Sequence, residues 1–269
     1  MNINSLILII IVIIFCLSII PLRIWGRKIY SNYFFWFVPN ILFLSYFIIF
    51  RFIEDWIGLN EMLLRNEAYV EPYIYSITYS KALLLDLCPF VAILLPILLI
   101  LFKNRNLANI IAPFAIFGGL ITLFGGVLFD NNAKLTIDYI LFGYENNEIY
   151  FMMHAYLLIN GIMVLVTCNN KKIITILWSH IFALIYFMYI LTLSKSLNIT
   201  WNVTGIVPND WLSGGQYQTV SNIFNLQYPY VMIVSLILAY IFINITILSN
   251  ILINRRIKKK TQNHLYQLS

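Results

Sequence analysis

Long apolar blocks separated by short polar connections run the length of this chain. Seven stand out: Leu6–Leu22, Tyr33–Ile53, Ala82–Phe102, Leu107–Phe129, Ile149–Cys168, Lys172–Leu193 and Tyr228–Ile253. Each is close to the ~20 residues needed to cross ~30 Å of hydrocarbon. Lipid offers a backbone no hydrogen-bond partners, so each block must satisfy its own amides and carbonyls as a helix. The pattern predicts an all-α, polytopic membrane helix bundle of about seven transmembrane helices. No connection is polar enough to make a soluble domain, so residues 1–269 are expected to form a single transmembrane domain.

The charges between the blocks alternate in sign. One set of connections holds Arg23, Arg27 and Lys28; Lys103 and Arg105; Lys171 and Lys172; and Arg255, Arg256 and Lys258–Lys260. The other set holds Glu54, Asp55, Glu61, Glu67, Glu71, Asp130, Asp138, Glu145, Glu148 and Asp210. Cytoplasmic loops are the ones enriched in Lys and Arg. The N-terminus is therefore expected outside and the C-terminus in the cytoplasm, in a multi-pass protein of the cell membrane. The first block has no basic residues before it and no small-residue cleavage site, which reads as a retained helix rather than a signal peptide.

Composition narrows the class further. At 61% hydrophobic and 10% charged, the chain departs from the roughly 45–50% and 25% of soluble domains. The net charge of +6 is accounted for by loop anchors that meet anionic lipid, so no nucleic-acid partner is implied. Cys16, Cys88 and Cys168 lie in or at the edges of the apolar blocks and suggest no disulfide framework. The abundance of Ile, Asn, Lys, Phe and Tyr fits A+T-rich coding in a small bacterial genome. There, the glycosylation-like triplets Asn198–Thr200 and Asn202–Thr204 are chance matches. The connection over Ser194–Gln227 carries Trp201, Trp211, Gly214, Gly215 and Tyr217. Such a loop either folds back over a cavity or simply populates the membrane interface.

Polar residues inside the blocks carry most of the functional information, because placing them in lipid is costly. Asp86 and Cys88 fall near the outer end of the third block, and His154 near the outer end of the fifth. At 1.5 Å per residue, Cys88 is roughly 9 Å and His154 roughly 8 Å below the start of its block, a shared depth. A thiol and an imidazole so placed form a nucleophile and its base when they meet. The plainer alternative is that Cys88 is a small hydrophobe and that His154 bonds a neighbouring helix. Pro89 disfavours helical geometry at Cys88 and frees a carbonyl one turn earlier, predicting a kink there. Asp86 lies about 200° around an ideal helix from Cys88, so the two share a site only if that kink is real. His180 reads as a bond between helices in preference to a ligand.

The run Leu83-Leu84-Leu85-Asp86-Leu87-Cys88-Pro89-Phe90 resembles the "LPLHLC" helix of the YwaF family of bacterial integral membrane proteins. Phe151-Met152-Met153-His154 resembles that family's "FFxxH" helix, and the segment from Phe117 through Gly118 and Gly119 its glycine-containing helix. Tyr228-Pro229-Tyr230 resembles its "WPWYIL" opening of the last helix, so the resemblance runs in order from Ala82 to Ile253. Relatives of that family include a eukaryotic acyltransferase that uses Cys and His on ether phospholipids. More distant ones are androgen-induced hydrolases that cleave fatty esters with Thr and His. The resemblance implies Cys88 as nucleophile and His154 as base, acting on a membrane lipid. Asp86 stands where the family has a second histidine, and an expected Asn-Tyr motif has only Asn202, Asn222 and Asn225 as counterparts.

Two readings follow. One is a lipid acyltransferase or ester hydrolase with catalytic Cys88, His154 and Asp86, needing no cofactor and no metal. The other is a non-catalytic transport or solute- or lipid-binding membrane protein. No inverted repeat and no interrupted helix pair of the transporter type is evident, which favours the first.

Overall fold

The computed structural model describes residues 2–21, 27–64, 71–102, 105–143, 149–168, 173–215 and 217–267, excluding the side chains of 27–28 and of those beyond 254. Arg23, Lys103, Lys171, Lys172, Glu67, Glu145 and Glu148, and the side chains of Arg27, Lys28 and the Arg255–Lys260 group, fall outside it. The described chain is helical, and no strand occurs among the described residues. Six helical stretches are long and apolar enough to cross a membrane: Tyr33–Leu64, Pro72–Leu101, Asn106–Phe129, Tyr150–Thr167, Ile174–Ser196 and Tyr230–Asn254.

The first apolar block forms α1 (Ile3–Ile19), 17 residues long, or ~25 Å at 1.5 Å per residue. Asn2 caps it through its side chain, and Leu8, Ile9, Val12 and Cys16 face the core. A short α2 (Arg27–Ser31) leads into α3 (Tyr33–Phe47), capped by Asn32. The chain continues through a π-helical turn at Ile48–Phe52 into α4 (Ile53–Leu64). The second span thus runs eleven residues beyond the expected Ile53, because Glu54 and Asp55 do not break a helix and its propensity persists.

The third block is not one helix. α5 (Pro72–Ala82) starts with Pro in its first turn, where the missing amide costs nothing. The backbone then leaves helical geometry over residues 83–86, with Leu84 at a φ of +55°, and resumes as α6 (Leu87–Leu101). The expected continuous helix over Ala82–Phe102 is corrected accordingly: the predicted kink is a full interruption.

The core pair is α7 (Asn106–Gly125) against α9 (Tyr150–Thr167). Their backbones approach at small residues. A Cβ on Gly119 would lie 2.8 Å from the His154 carbonyl oxygen, and one on Gly161 would lie 2.7 Å from Ile116 Cγ1. Small residues admit this close packing between helices in lipid. In sequence α8 (Ile137–Phe142), capped by Thr136, comes between α7 and α9. α10 (Ile174–Ser196) and α12 (Tyr230–Gln267) stand at the side of α7, with α11 (Gln218–Phe224) before α12. Their outward faces are apolar: Leu184 and Ile185 on α10 and Leu236 and Ile237 on α12 are exposed. These suit a hydrocarbon surround.

At the Arg105 end of the bundle the helices converge. Arg105 Nη1 donates to the Tyr30 carbonyl at 2.7 Å and its guanidinium sits 4.8 Å from the Trp36 ring. Asn250 donates to Asn109 at 3.5 Å, tying α12 to α7. Ser179 Oγ donates to the Ile110 carbonyl at 3.0 Å, tying α10 to α7.

Candidate functional site

Beyond that convergence α7, α10 and α12 separate around a cavity of about 760 Å³. This is within the roughly 300–1,000 Å³ of small-molecule sites. Its walls are mostly apolar, from Phe117, Ile121, Phe187, Met232 and Leu236 among others. Cys88 is part of the wall. As the second residue of α6, its sulfur lies where a Cβ on Gly118 would come within 2.7 Å. Thr122, one turn further along α7, also interacts with its thiol.

Residues of the connection after α10, within 197–215 and at Tyr217, contribute to the cavity wall. Asp210 is fully buried. Its carboxylate accepts the amides of Asn202 (2.5 Å), Val203 (3.0 Å) and Gly205 (2.9 Å). Three amides converging on a charged acceptor fold the loop tightly. Gly205 takes a φ of +78°, a region that disfavours side chains. Its carbonyl accepts Trp211 Nε1 at 2.7 Å. The loop is fastened to the interrupted helix: Ser80 Oγ bonds the Asn202 carbonyl and receives Asn202 Nδ2. Thr204 Oγ1 accepts the Leu87 amide at 3.1 Å and donates to the Leu85 carbonyl at 2.9 Å. Thr204, Gly205, Ile206, Trp211 and Tyr217 line the cavity. Part of the aromatic connection therefore lines a cavity.

Asp86 occupies the N-cap position of α6, with Thr204 Oγ1 3.5 Å from its Oδ1. It is not among the cavity-lining residues, whereas Cys88 is. His154 is 3% exposed, and its Nδ1 is 2.7 Å from the Tyr150 carbonyl oxygen. A carbonyl only accepts, so Nδ1 carries the proton and Nε2 is the free lone pair of the neutral ring. His154 and Cys88 flank α7 at neighbouring residues, Gly119 against the His154 carbonyl and Gly118 against the Cys88 sulfur. Cys88 stands at the start of a helix and not two turns into one. No hydrogen bond joins Cys88 and His154 among the described residues, and His154 is not among the cavity-lining ones.

Sequence reasoning passes over Arg51. It is 8% exposed and lies in the π-helical turn, with Nε 3.6 Å from Asp55 Oδ2. Its charge reaches Asp86, Cys88 and His154. The available signal was an arginine ahead of the last residues of an apolar block, since intramembrane charges mark sites. His180 lines the cavity and pairs with Asn244 of α12 at 3.5 Å through Nε2, joining two helices as expected.

Over residues 6–268 the chain matches DUF5378, a family of unknown function. It belongs to that family. "Uncharacterized protein MG135" of Mycoplasma genitalium is 38% identical over 154 residues, 56% of this chain and 54% of the relative. The homologous protein of Mycoplasma pneumoniae is 38% identical over 149 residues, 54% of this chain and 52% of the relative. The chain thus spans about half the length of the relatives it matches. No solved structure matches it.

Proposed function

We propose that this DUF5378 protein is a membrane-embedded, thiol-dependent lipid acyltransferase or ester hydrolase of the cell membrane. One observation carries the reading: Cys88 opens directly onto an apolar cavity of about 760 Å³ at a helix interruption. The YwaF-like order of motifs supports it. In this reading the cavity end of the bundle faces outward and the Arg105 end faces the cytoplasm, as the alternation of loop charge favours.

The acyl chain of a membrane lipid lies in the cavity with its ester beside Cys88. Sγ bonds the carbonyl carbon and the ester C–O bond breaks. The thiol proton passes through His154 Nε2 to the departing alcohol, leaving an acyl thioester on Cys88. A lysolipid hydroxyl or water then attacks the thioester, and its proton returns to the sulfur. Asp86 and Arg51 set the charge around the thiol. The test is turnover by purified full-length protein in phospholipid bilayers. Cys88→Ser is expected to abolish acyl transfer and ester hydrolysis, and His154→Ala to slow both by roughly 10²–10⁴-fold. Unchanged turnover in either variant sinks the pair.

A second reading, a non-catalytic lipid-binding or transport protein, is favoured by one observation: His154 is absent from the residues lining the cavity. Lipid that copurifies and survives Cys88→Ser unaltered, without turnover in the wild type, would select it.

A further inference from the structure

We propose that the Tyr217 hydroxyl is the hydrogen-bond donor that holds the carbonyl oxygen of an acyl ester seated beside Cys88. This rests on the acyl-transfer reading above and names the oxyanion donor of that site.

Tyr217 and Cys88 line the same cavity. The path between them is short: Thr204 Oγ1 receives the amide of Leu87, which precedes Cys88, and the next loop residue, Gly205, lies under the Tyr217 ring. A Cβ on Gly205 would approach ring carbons Cε2 and Cδ2 at 3.1 and 3.2 Å. The ring packs on Trp211 at 5.1 Å between centroids, and the Tyr217 amide donates to the Asp210 carbonyl at 2.8 Å. The phenol is thus held at both ends of the residue, while its hydroxyl has no hydrogen-bond partner among the described residues. The neighbouring hydroxyls of Tyr186 and Thr204 are already committed to the Leu85 carbonyl. Burial, then the acidic groups of Asp86, Cys88 and Asp210, raise the Tyr217 pKa, so the proton stays on the oxygen.

As Sγ bonds the carbonyl carbon, the π pair moves onto oxygen, and it returns when the alcohol departs with the thiol's former proton. Tyr217 keeps its own proton throughout. A donor fixed in advance is worth most at that oxygen.

The experiment uses full-length protein in nanodiscs and intact-mass detection of Cys88, comparing a nitrophenyl ester of a fatty acid with iodoacetamide. Tyr217→Phe is expected to slow acylation by the ester roughly 10²-fold while alkylation by iodoacetamide changes by no more than about twofold, because alkylation develops no oxyanion. Unchanged acylation, or equal slowing of both reactions, overturns the assignment. Wild-type protein that takes no acyl group at Cys88 removes the parent reading and this one together.

Discussion

The hydroxyls of Tyr186 and Thr204 lie 3.0 Å apart, and each donates to the carbonyl of Leu85 at 2.9 Å. That carbonyl belongs to the interruption between α5 and α6, where a membrane helix stops supplying its own partners. Tyr189, one turn along α10 from Tyr186, bonds the Leu83 carbonyl in the same way. Irregular backbone at membrane depth survives only when protein satisfies it. Here α10 and the loop supply that satisfaction, and Cys88 is positioned as a result.

Thr204→Val is therefore expected to cost about 1 kcal/mol, because the part-buried Leu87 amide and the Leu85 carbonyl each lose their bond to Thr204. Tyr186→Phe should cost less, since Thr204 still serves Leu85. Sharing one carbonyl makes the two non-additive. Unfolding of the purified variants in detergent measures both, and a Thr204→Val protein as stable as wild type would contradict the clasp.

The glycines of α7 separate two kinds of close contact. A Cβ on Gly119 meets backbone and Cβ atoms of α9 at 2.8–2.9 Å, so Gly119→Ala should lose about 1–3 kcal/mol through overpacking. Gly58 of α4 has nothing within 4 Å, and Gly58→Ala should gain about 0.5–1 kcal/mol from helix propensity. Equal effects at the two positions would mean that α7 and α9 are not packed as described.

Much of the architecture was legible in the apolar blocks, because hydrocarbon forces helices regardless of detail. The interruption at 83–86 was not. Its leucines read as strong helix formers, and the partners that stabilise the break lie 101–119 residues away in sequence. Pro89 signalled a disturbance at Cys88 without its extent. The loop over Ser194–Gln227 was recognisable as aromatic and turn-rich, yet nothing local showed Asp210 gathering three amides or Tyr217 reaching the cavity. Counting residues led to an expectation of equal depth for Cys88 and His154, without a distance between them. Which of them faced a cavity depended on the glycines of a third helix.

Orientation is open to direct labelling. A cysteine introduced at Ser213, exposed in the connection after α10, should react with a membrane-impermeant maleimide in intact cells. One replacing Lys259, in the basic cluster following the last span, should react only after the membrane is opened. The reverse pattern would invert the topology and put that connection in the cytoplasm.

The native cysteines offer the sharpest chemical comparison. Cys16 and Cys168 are 7% and 5% exposed, whereas Cys88 is half-buried on the cavity wall. A membrane-permeant thiol reagent should therefore modify Cys88 first. Access alone would make that rate indifferent to His154, whose backbone packs against the neighbouring Gly119. If His154 takes the thiol proton, His154→Ala should slow Cys88 modification while leaving Cys16 and Cys168 unaffected, because the reactive species is the thiolate. Asp86→Asn distinguishes two further roles. It should have little effect if Asp86 only helps to hold the interruption through Thr204. It should slow the thiol as severely as His154→Ala if Asp86 has a catalytic role of its own. Modification rates that ignore both substitutions would leave Cys88 as cavity wall and favour the lipid-binding reading over the catalytic one.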